Sequence, residues 1–424
     1  MRNIVILADD FTGAGDTGVH LARRGLRTAF VFAPEAVQEA LAASDAATLS
    51  TETRFMTPQE AGRTVYAYAL RACEAGGTFF YKKIDSALRG NPGTETAAVL
   101  RALRFPAALV CPAMPEAGRT VLNGALFIDG RPLHATSLGH DPFTPVSTPS
   151  VALRLSEDTG LTAGHLSIED LEANPKALRR KVIALLEGGC SFLVADATTE
   201  SHLAIIAELL IHSHDATSHF GPLLPVGSSG LGKALAEATI GKAIHTKTRP
   251  QGRLLAVVGS LNASALAQAE YAGLSDAYTL LCPDIAAGLD DPAEECRRLF
   301  QAAKAVEHGH ILVRGSCLDE QEDLTTEVGA RVSALYGRLV HSLCQELPFS
   351  TVLATGGSTA VGIASSLGLN SLMLEDELLP GVVLSSCISP ETNVRWFISK
   401  AGSFGDRETL VTIAATLNQS NFKI

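Results

Sequence analysis

The sequence predicts an α/β protein with two domains, each a mostly parallel sheet flanked by helices, with a cleft between them. Short apolar runs alternate with longer amphipathic segments along the whole chain, which is the pattern of α/β architecture. The chain has 424 residues, enough for two or three domains of ordinary size. Residues 238–253 hold glycine and proline with few large apolar side chains, so we expect domains at 1–240 and 254–424.

The first domain opens with a buried strand at 4–8, followed by a helix at 13–24 that ends at Gly25. Its other strands are predicted at 27–33, 46–50, 78–82, 107–111 and 192–195, and its longer helices at 58–75 and 94–103. Residues 127–153 are rich in Pro, Gly, Ser and Thr, which indicates a long loop or a lid-bearing excursion.

The second domain repeats the same alternation of short apolar runs and amphipathic segments. Its strands are predicted at 254–258, 311–313, 352–354 and 372–374, and its helices at 262–272, 327–344 and 358–367.

The composition argues against several classes of protein. The formal net charge is -11, whereas a nucleic-acid binder needs a basic surface. No run of about 20 apolar residues is present to span a membrane. The first nine residues turn acidic too quickly for a signal peptide, so we expect a soluble, cytoplasmic protein. Eight cysteines without a Cys-x-x-Cys pair predict small core residues in a reducing compartment.

Three carboxylates, Asp9, Asp10 and Asp16, follow the first predicted strand. Ligands bind at the carboxyl ends of strands in open α/β sheets. Carboxylates this close repel one another unless a cation or a proton lies between them, so one of them is a candidate general base. The alternative is that one aspartate caps the following helix while the others are solvated.

A cluster of cations follows the strand predicted at 78–82. Lys82, Lys83 and Arg89 lie within eight residues of an otherwise acidic chain, and the residues after them include turn-forming glycines and Pro92. Such a loop can hold a carboxylate or a phosphoryl group, although a solvated run of charge is the alternative. Arg54 and Arg119 follow two further strands, so several strand ends carry polar loops.

Small-residue turns recur at strand-to-helix junctions of the second domain. Small residues let backbone N–H groups at a helix N-terminus approach phosphates closely. No Walker sequence Gly-x-x-x-x-Gly-Lys-[Ser/Thr] occurs, which excludes a P-loop enzyme. The candidate phosphate-binding residues are Ser260, Gly356, Gly357, Ser358, Thr359, Gly402 and Gly405.

Histidines 212, 214 and 219 and Asp215 have the composition of a metal cluster, but their position after a helix favours a solvated helix end. We therefore predict no metal site built from protein ligands alone.

Together these motifs resemble the four-carbon acid sugar kinases over nearly the whole chain. The motifs that carry the resemblance are Ala8-Asp-Asp-Phe-Thr-Gly-Ala, Lys82-Lys-Ile-Asp-Ser-Ala-Leu-Arg-Gly-Asn-Pro-Gly, Pro112 to Gly124, Gly227-Ser-Ser-Gly-Leu-Gly, Thr355-Gly-Gly-Ser-Thr-Ala and Lys400-Ala-Gly-Ser-Phe-Gly. The resemblance implies a sugar-acid-binding domain at 1–240, a nucleotide-binding domain at 254–424, and phosphorylation of a terminal hydroxyl by ATP.

The segment 16–22 looks more like the D-threonate members of that family, so D-threonate is the expected substrate. D-erythronate, L-threonate and 3-oxo-tetronate are the alternatives. The partners implied are the sugar acid and ATP or ADP, without nucleic acid or membrane, and a homodimer is compatible with the sequence. Two departures from the family pattern leave fine substrate preference open. The chain has Ser50-Thr51-Glu52-Thr53-Arg54 where Asp-Thr-Glu-Ser-Arg is expected, and it has Ser403 where a second glycine is common.

Phosphoryl transfer to an alcohol requires an oriented hydroxyl and a proton acceptor. Successive residues leaving a strand point opposite ways, so one of the paired aspartates can face the substrate while the other caps the helix or faces the metal. We rank Asp10 first as the base, then Asp9, then Asp85. Arg54, Lys82, Lys83, Arg89 and Arg119 are predicted to bind the substrate. Mg²⁺ is expected to bridge the ATP phosphates with few protein ligands.

Two hypotheses from other classes compete with a kinase. A non-enzymatic binder of small acids would use the same cations but gains nothing from carboxylates beside its anionic ligand. A dinucleotide-linked oxidoreductase would have Gly-x-Gly-x-x-Gly after its first strand, where this chain has Asp9-Asp10-Phe11-Thr12-Gly13.

Overall fold

The structure is a computed structural model that describes residues 3–141, 143–215, 218, 220–244, 250, 252–315, 326–387 and 393–418. It divides into two compact units, Met1–Ile244 and His245–Ile424. Each unit has a mostly parallel sheet with helices, which confirms the predicted α/β class. His219 and Cys317 lie outside the described residues.

In the first unit, short apolar runs form strands and the amphipathic segments between them form helices. The strands are β1 (Ile4–Ala8), β2 (Thr28–Val31), β3 (Ala46–Ser50), β4 (Phe79–Lys83), β5 (Ala108–Cys111), β6 (Arg119–Leu122), β7 (Ala125–Ile128), β8 (Arg131–Pro132), β9 (Ala163–Leu166), β10 (Phe192–Ala195) and β11 (Leu224–Gly227). The helices are α1 (Phe11–Ala22), α2 (Val37–Ala43), α3 (Pro58–Glu74), α4 (Pro92–Leu103), α5 (Val151–Ser156), α6 (Ile168–Glu172), α7 (Pro175–Glu187), α8 (Glu200–Ser213) and α9 (Ser229–Ile240).

The main sheet of this unit runs in the order β2-β3-β1-β4-β11-β5-β10-β9, and every pairing described within it is parallel. Its central strands are buried on both faces, as expected for a parallel sheet covered by helices. In the register, Ala8 lies opposite both Ser50 and Lys83. The carboxyl ends of β3, β1 and β4 are therefore level with one another.

The segment predicted as a long loop or excursion is more regular than expected. Strands β6, β7 and β8 form a small antiparallel sheet, and α5 begins at Val151. The buried carboxylate of Asp196 accepts hydrogen bonds from the backbone N–H groups of Asn123 and Gly124, both at 2.8 Å, and so fixes the turn between β6 and β7. Strands β6 and β8 have four and two residues and begin with arginine, so neither forms an apolar run that the sequence distinguishes from loop.

The second unit has a mixed sheet. Its strands are β12 (Arg253–Val258), β13 (Tyr278–Leu281), β14 (His310–Arg314), β15 (Phe349–Thr355), β16 (Ser371–Leu379), β17 (Val382–Cys387) and β18 (Trp396–Lys400). Its helices are α10 (Ala263–Gly273), α11 (Ile285–Asp290), α12 (Pro292–Lys304), α13 (Thr326–Glu346), α14 (Gly357–Ser366) and α15 (Thr409–Asn418). The order is β13-β14-β12-β15-β18-β17-β16, with antiparallel pairing at β18-β17-β16.

The described cysteines are all free thiols. Cys111 and Cys344 are buried as predicted, but Cys73 and Cys282 are exposed, so the expectation of core residues was wrong for those two. Within the described ranges, we find no helix with the length and apolar character needed to cross a bilayer.

Candidate functional site

The loops after β1, β3 and β4 bring the first unit's candidate residues together. These strands are neighbours and end level with one another. The loop after β3 is held in place by Asn91, whose side-chain amide donates to the backbone carbonyls of Thr53 and Met56 at 3.1 and 3.0 Å. Gly90, with φ of +75°, lets the loop after β4 approach the backbone of Arg54 closely.

The guanidinium of Arg54 lies at the centre of this cluster. Its Nε donates to Asp9 Oδ2 at 2.7 Å, and its two terminal nitrogens donate to both carboxylate oxygens of Asp10 at 3.0 and 2.8 Å. Asp85 Oδ1 lies 3.5 Å from Nη2. Burial disfavours the charged guanidinium, but the three carboxylates outweigh this and raise the pKa of Arg54 above its ordinary value. The repulsion predicted between Asp9 and Asp10 is thus relieved by a cation 44 residues along the chain from Asp10.

Both carboxylate oxygens of Asp10 already accept hydrogen bonds. It is the N-cap of α1, where its side chain accepts from the Gly13 N–H at 3.0 Å and from Thr12 Oγ1 at 2.7 Å. Each carboxylate oxygen of Asp10 therefore has a local donor as well as an Arg54 nitrogen.

Asp9 is different, because its Oδ1 is buried and has no hydrogen-bond donor among the described residues. Burial raises the pKa of Asp9, but the charges of Arg54, Lys83 and Lys82 oppose burial and bring that pKa below its usual value. Asp9 is accordingly an ionised carboxylate with one oxygen available.

Lys83 is a second group at this edge whose side chain is largely buried. It is 5% exposed, and no ion pair or side-chain hydrogen bond to it occurs among the described residues. A Cβ on Gly13 would lie 2.7 Å from Lys83 Nζ and 2.5 Å from Asp10 Oδ1. Glycine at position 13 is therefore required for the lysine to reach the N-terminus of α1.

Lys82 is buried in the core, although its charge also acts on Asp9. Its Nζ is 2.7 Å from Glu95 Oε2 and donates to the carbonyls of Leu7 and Lys83, and its side chain is completely buried. Glu95 also accepts from Thr53 Oγ1 at 2.8 Å. Adjacent strand residues point to opposite faces, so Lys82 supports the loops from inside while Lys83 does not.

Arg89 pairs with two carboxylates. Its Nε and Nη2 donate to the two oxygens of Asp85 at 2.9 and 3.0 Å, and its Nη1 donates to Asp141 at 3.1 Å. Burial raises the pKa of Asp85, but Arg89 and Arg54 bring it well below its usual value. Arg119, at the start of β6, is 9% exposed and lies near enough to Asp85 and Arg89 to be affected by their charges.

Glu52 belongs to the same cluster and was missed as a site residue. It has a φ of +51°, which is uncommon for a residue other than glycine. Burial raises the pKa of Glu52 to about 7, although a hydrogen bond of 2.5 Å from Ser50 Oγ opposes the change. Its position in the sequence, between the end of a predicted strand and Arg54, could have indicated Glu52 as a site residue.

In the second unit, the small-residue turns after β12, β15 and β18 meet. A Cβ on Gly402 would overlap Ser260 Oγ, and one on Gly356 would lie 3.4 Å from Ser260 Cβ. Gly356 has a φ of +101° and is the N-cap of α14, without a side chain to cap it. The first helical residues, Gly357, Ser358 and Thr359, therefore present backbone N–H groups that no capping side chain satisfies.

The other predicted residues fall elsewhere. A Cβ on Gly405 would overlap Thr409 Oγ1, so this glycine shapes the turn into α15. His212 pairs with Asp215 at an exposed helix end, and His214 packs on Phe79. Among the described residues, no group of three or more His, Cys, Asp or Glu is arranged to hold a metal.

Family models, curated relatives and a solved structure all match this chain over most of its length. Residues 4–235 match the family model of a sugar-binding N-terminal domain, and residues 255–410 match that of a nucleotide-binding C-terminal domain. The chain is 31% identical to a D-threonate kinase of Cupriavidus necator and 29% identical to one of Salmonella typhimurium, in each case over 96% of both chains. A solved structure of a Salmonella typhimurium LT2 protein superposes with a TM-score of 0.80 at 25% identity, covering 98% of this chain and 99% of that one.

Proposed function

Because the chain belongs to the four-carbon acid sugar kinase family, we propose that it transfers the γ-phosphoryl group of ATP to the terminal hydroxyl of D-threonate. The product would be 4-phospho-D-threonate. The two D-threonate kinases that match over 96% of the chain support this substrate within the family. We assign sugar-acid binding to residues 1–240 and nucleotide binding to 254–424, and an ATP-dependent enzyme of this kind belongs in the cytoplasm.

Two groups at one strand edge carry the proposal. Asp9 Oδ1 is buried without a hydrogen-bond partner among the described residues, and the ammonium of the 5% exposed Lys83 has no ion pair or side-chain hydrogen bond among them. Buried polar groups are normally hydrogen-bonded, and those left without partners call for an explanation. A free carboxylate oxygen accepts a hydroxyl proton, and a free ammonium attracts a carboxylate or a phosphoryl group. A hydroxy acid under phosphorylation offers both.

In our mechanism, Asp9 takes the role of the base that the sequence had favoured for Asp10. The substrate hydroxyl donates its hydrogen bond to Asp9 Oδ1, which leaves a lone pair of the oxygen directed at the γ-phosphorus. The new O–P bond forms as the bond from the γ-phosphorus to the bridging oxygen of ADP breaks, and the proton passes to Asp9. The lowered pKa of Asp9 keeps it ionised at neutral pH, and a loose transition state demands positioning more than basicity.

Asp10 and Arg54 position the base. Arg54 holds Asp9 Oδ2 and so orients the free Oδ1, while Asp10 fixes Arg54 through two hydrogen bonds. Lys83 and Arg119 provide the cationic surface for the substrate carboxylate, whereas Arg89, which the sequence also suggested, is held by Asp85 and Asp141. We leave Lys82 out of this anion site, because Glu95 neutralises it in the core.

For the nucleotide, we propose that the first turn of α14 and the turns at Ser260 and Gly402 bind the ATP phosphates. Backbone N–H groups at a helix N-terminus favour an anion. Mg²⁺ would accompany the phosphates, from which it takes most of its ligands together with water, and would neutralise their charge. Gly356→Val should weaken ATP binding in calorimetry, because a branched side chain is strained at a φ of +101° and crowds Ser260.

The experiment that tests the substrate is a panel of tetronates. The protein is incubated with ATP and Mg²⁺ and with D-threonate, L-threonate, D-erythronate or 3-oxo-tetronate, and the products are identified by mass spectrometry. We expect D-threonate to give the highest kcat/KM and a product phosphorylated at the terminal hydroxyl. A higher kcat/KM for another tetronate would replace D-threonate, and ATP-dependent phosphorylation of none of them would refute the proposal.

The experiment that tests the base compares two isosteric variants. Asp9→Asn removes the proton acceptor, so kcat should fall by about a hundred- to ten-thousand-fold with ATP affinity intact. Asp10→Asn keeps a side chain that can cap α1 and should lose less. If Asp10→Asn loses more kcat than Asp9→Asn, the base is Asp10, as the sequence alone had favoured.

A further inference from the structure

The second unit buries a cation for which the proposed mechanism has no role so far. Lys400 is the last residue of β18 and has an exposed fraction of 0%. Its Nζ donates to the carbonyl of the next residue, Ala401, at 3.0 Å, and no carboxylate of the described residues pairs with it. Burying an ammonium without a counter-charge is costly, and an apolar side chain at this position would avoid that cost. The presence of a lysine here therefore needs an explanation.

The surroundings of Lys400 are those of the candidate phosphate site. Thr355, the last residue of β15, is its register partner, and Thr355 Oγ1 is buried without a hydrogen-bond partner in the described part of the chain. The Gly356 N–H donates to the Lys400 carbonyl at 2.9 Å. Gly402, two residues beyond the lysine, packs against Ser260. A buried ammonium, a buried hydroxyl and the uncapped N-terminus of α14 therefore lie at adjoining strand ends.

We propose that Lys400 Nζ binds a phosphate oxygen of the adenine nucleotide, as a binding residue of the nucleotide site. This inference rests on the proposed function, since it requires a nucleotide at the N-terminus of α14. The phosphate supplies the counter-charge that the second unit lacks there, and Thr355 Oγ1 supplies a further donor. A charged hydrogen bond of this kind changes affinity by about tenfold to a hundredfold.

The burial of Lys400 also predicts that the protein takes up protons when the nucleotide binds. Burial lowers the pKa of Lys400 to about 8, so about half of the molecules carry a neutral amine at that pH. Its neighbours across the sheet, Thr355 on β15 and Val382 on β17, are uncharged, as are Gly357, Ser358 and Thr359 in the first turn of α14. A bound phosphate favours the ammonium, so the lysine takes up a proton when the nucleotide binds.

The test is calorimetric titration of MgADP into wild type and Lys400→Met, in two buffers of different ionisation enthalpy, near pH 8. We expect Lys400→Met to bind about tenfold to a hundredfold more weakly and to take up about half a proton less per nucleotide. Lys304→Met makes the same chemical change at an exposed position of α12 and should leave both quantities unaltered. Lys400→Arg stays charged, so it should lose the proton uptake while keeping more affinity than Lys400→Met.

Three outcomes separate the hypotheses. Failure of the wild type to bind MgADP contradicts the nucleotide site itself. Binding by the wild type with Lys400→Met within about twofold of it, or with unchanged proton uptake, overturns the role of Lys400 alone. If Lys400→Met does not fold, the pH dependence of the wild type decides, because its affinity must fall as pH rises above about 8. A flat profile through that range overturns the inference.

Discussion

Replacement of Arg54 by alanine should destabilise the first unit strongly near neutral pH. The substitution removes three charged hydrogen bonds, to Asp9 and to both oxygens of Asp10, and a contact of 3.5 Å with Asp85. All three aspartates are less than 9% exposed. Among the described residues, Arg54 is the only arginine that contacts all three, so the variant leaves these buried charges without it. Removing one partner from a buried ion cluster costs about 3–5 kcal/mol.

The pH dependence follows from the pKa shifts. In the wild type, Asp9 and Asp85 have pKa values below their ordinary ones, so their pairing stabilises the fold at pH above the unfolded pKa and is lost in acid. Without Arg54, burial opposes the charge of Asp9 with its largest compensating cation gone and raises that pKa, whereas Arg89 still pairs with Asp85. The cost is therefore greatest near neutral pH and falls as Asp9 protonates. The difference between wild type and variant should therefore shrink toward about pH 5.

The assay is urea unfolding of both proteins near neutral pH and near pH 5, with Arg27→Ala as the control. Arg27 pairs with Asp45 at 3.5 Å with a side chain 68% exposed, so its loss should cost at most about 1 kcal/mol. The same Arg54→Ala variant should lower kcat by up to about a hundredfold, because Asp9 loses the guanidinium that orients its free oxygen. A loss of stability no larger than that of the control, or one that does not change with pH, would refute the electrostatic argument.

Two glycines give further predictions. Gly13→Ala should lower kcat/KM for the sugar acid by at least about tenfold, because the new methyl group displaces Lys83 Nζ; Gly329→Ala, where the structure leaves open space in α13, should keep full activity and is the control. Gly402→Ala should weaken ATP binding without changing the binding of the sugar acid, since its methyl group overlaps Ser260 Oγ. Equal ATP affinity in calorimetry would remove that turn from the nucleotide site.

Much of the fold could be predicted because the pattern of buried strands is local. The strands at 4–8, 46–50 and 192–195 were predicted residue for residue, since each is a short, mostly apolar run in a parallel sheet. Strands β17 and β18 were missed, as was their antiparallel pairing, because pairing direction depends on contacts between segments distant in sequence.

The candidate site shows the same division. Alternation along the chain predicted that one of Asp9 and Asp10 would face the substrate while the other capped the helix or faced the metal, and Asp10 was favoured for the substrate. In the structure Asp10 caps α1, and the contacts of both aspartates depend on Arg54, which a local pattern does not locate. Likewise, the sequence does not distinguish the adjacent Lys82 and Lys83. The position of Glu95 on α4 does, because it pairs with Lys82, whereas Lys83 has no ion pair within the described ranges.

The double role of Asp10 restricts how this sequence can vary. As the N-cap of α1, position 10 could be Asn, Ser or Thr at little cost to the helix. As the bidentate partner of Arg54, it must carry a negative charge on two coplanar oxygens, which excludes all three of those residues. Glutamate has the charge but is a poor cap, because its longer side chain is not among those that reach the helix N–H groups from this position. No single substitution of Asp10 therefore preserves both roles. A related sequence without Asp10 would need changes at Arg54 and at the start of α1 as well.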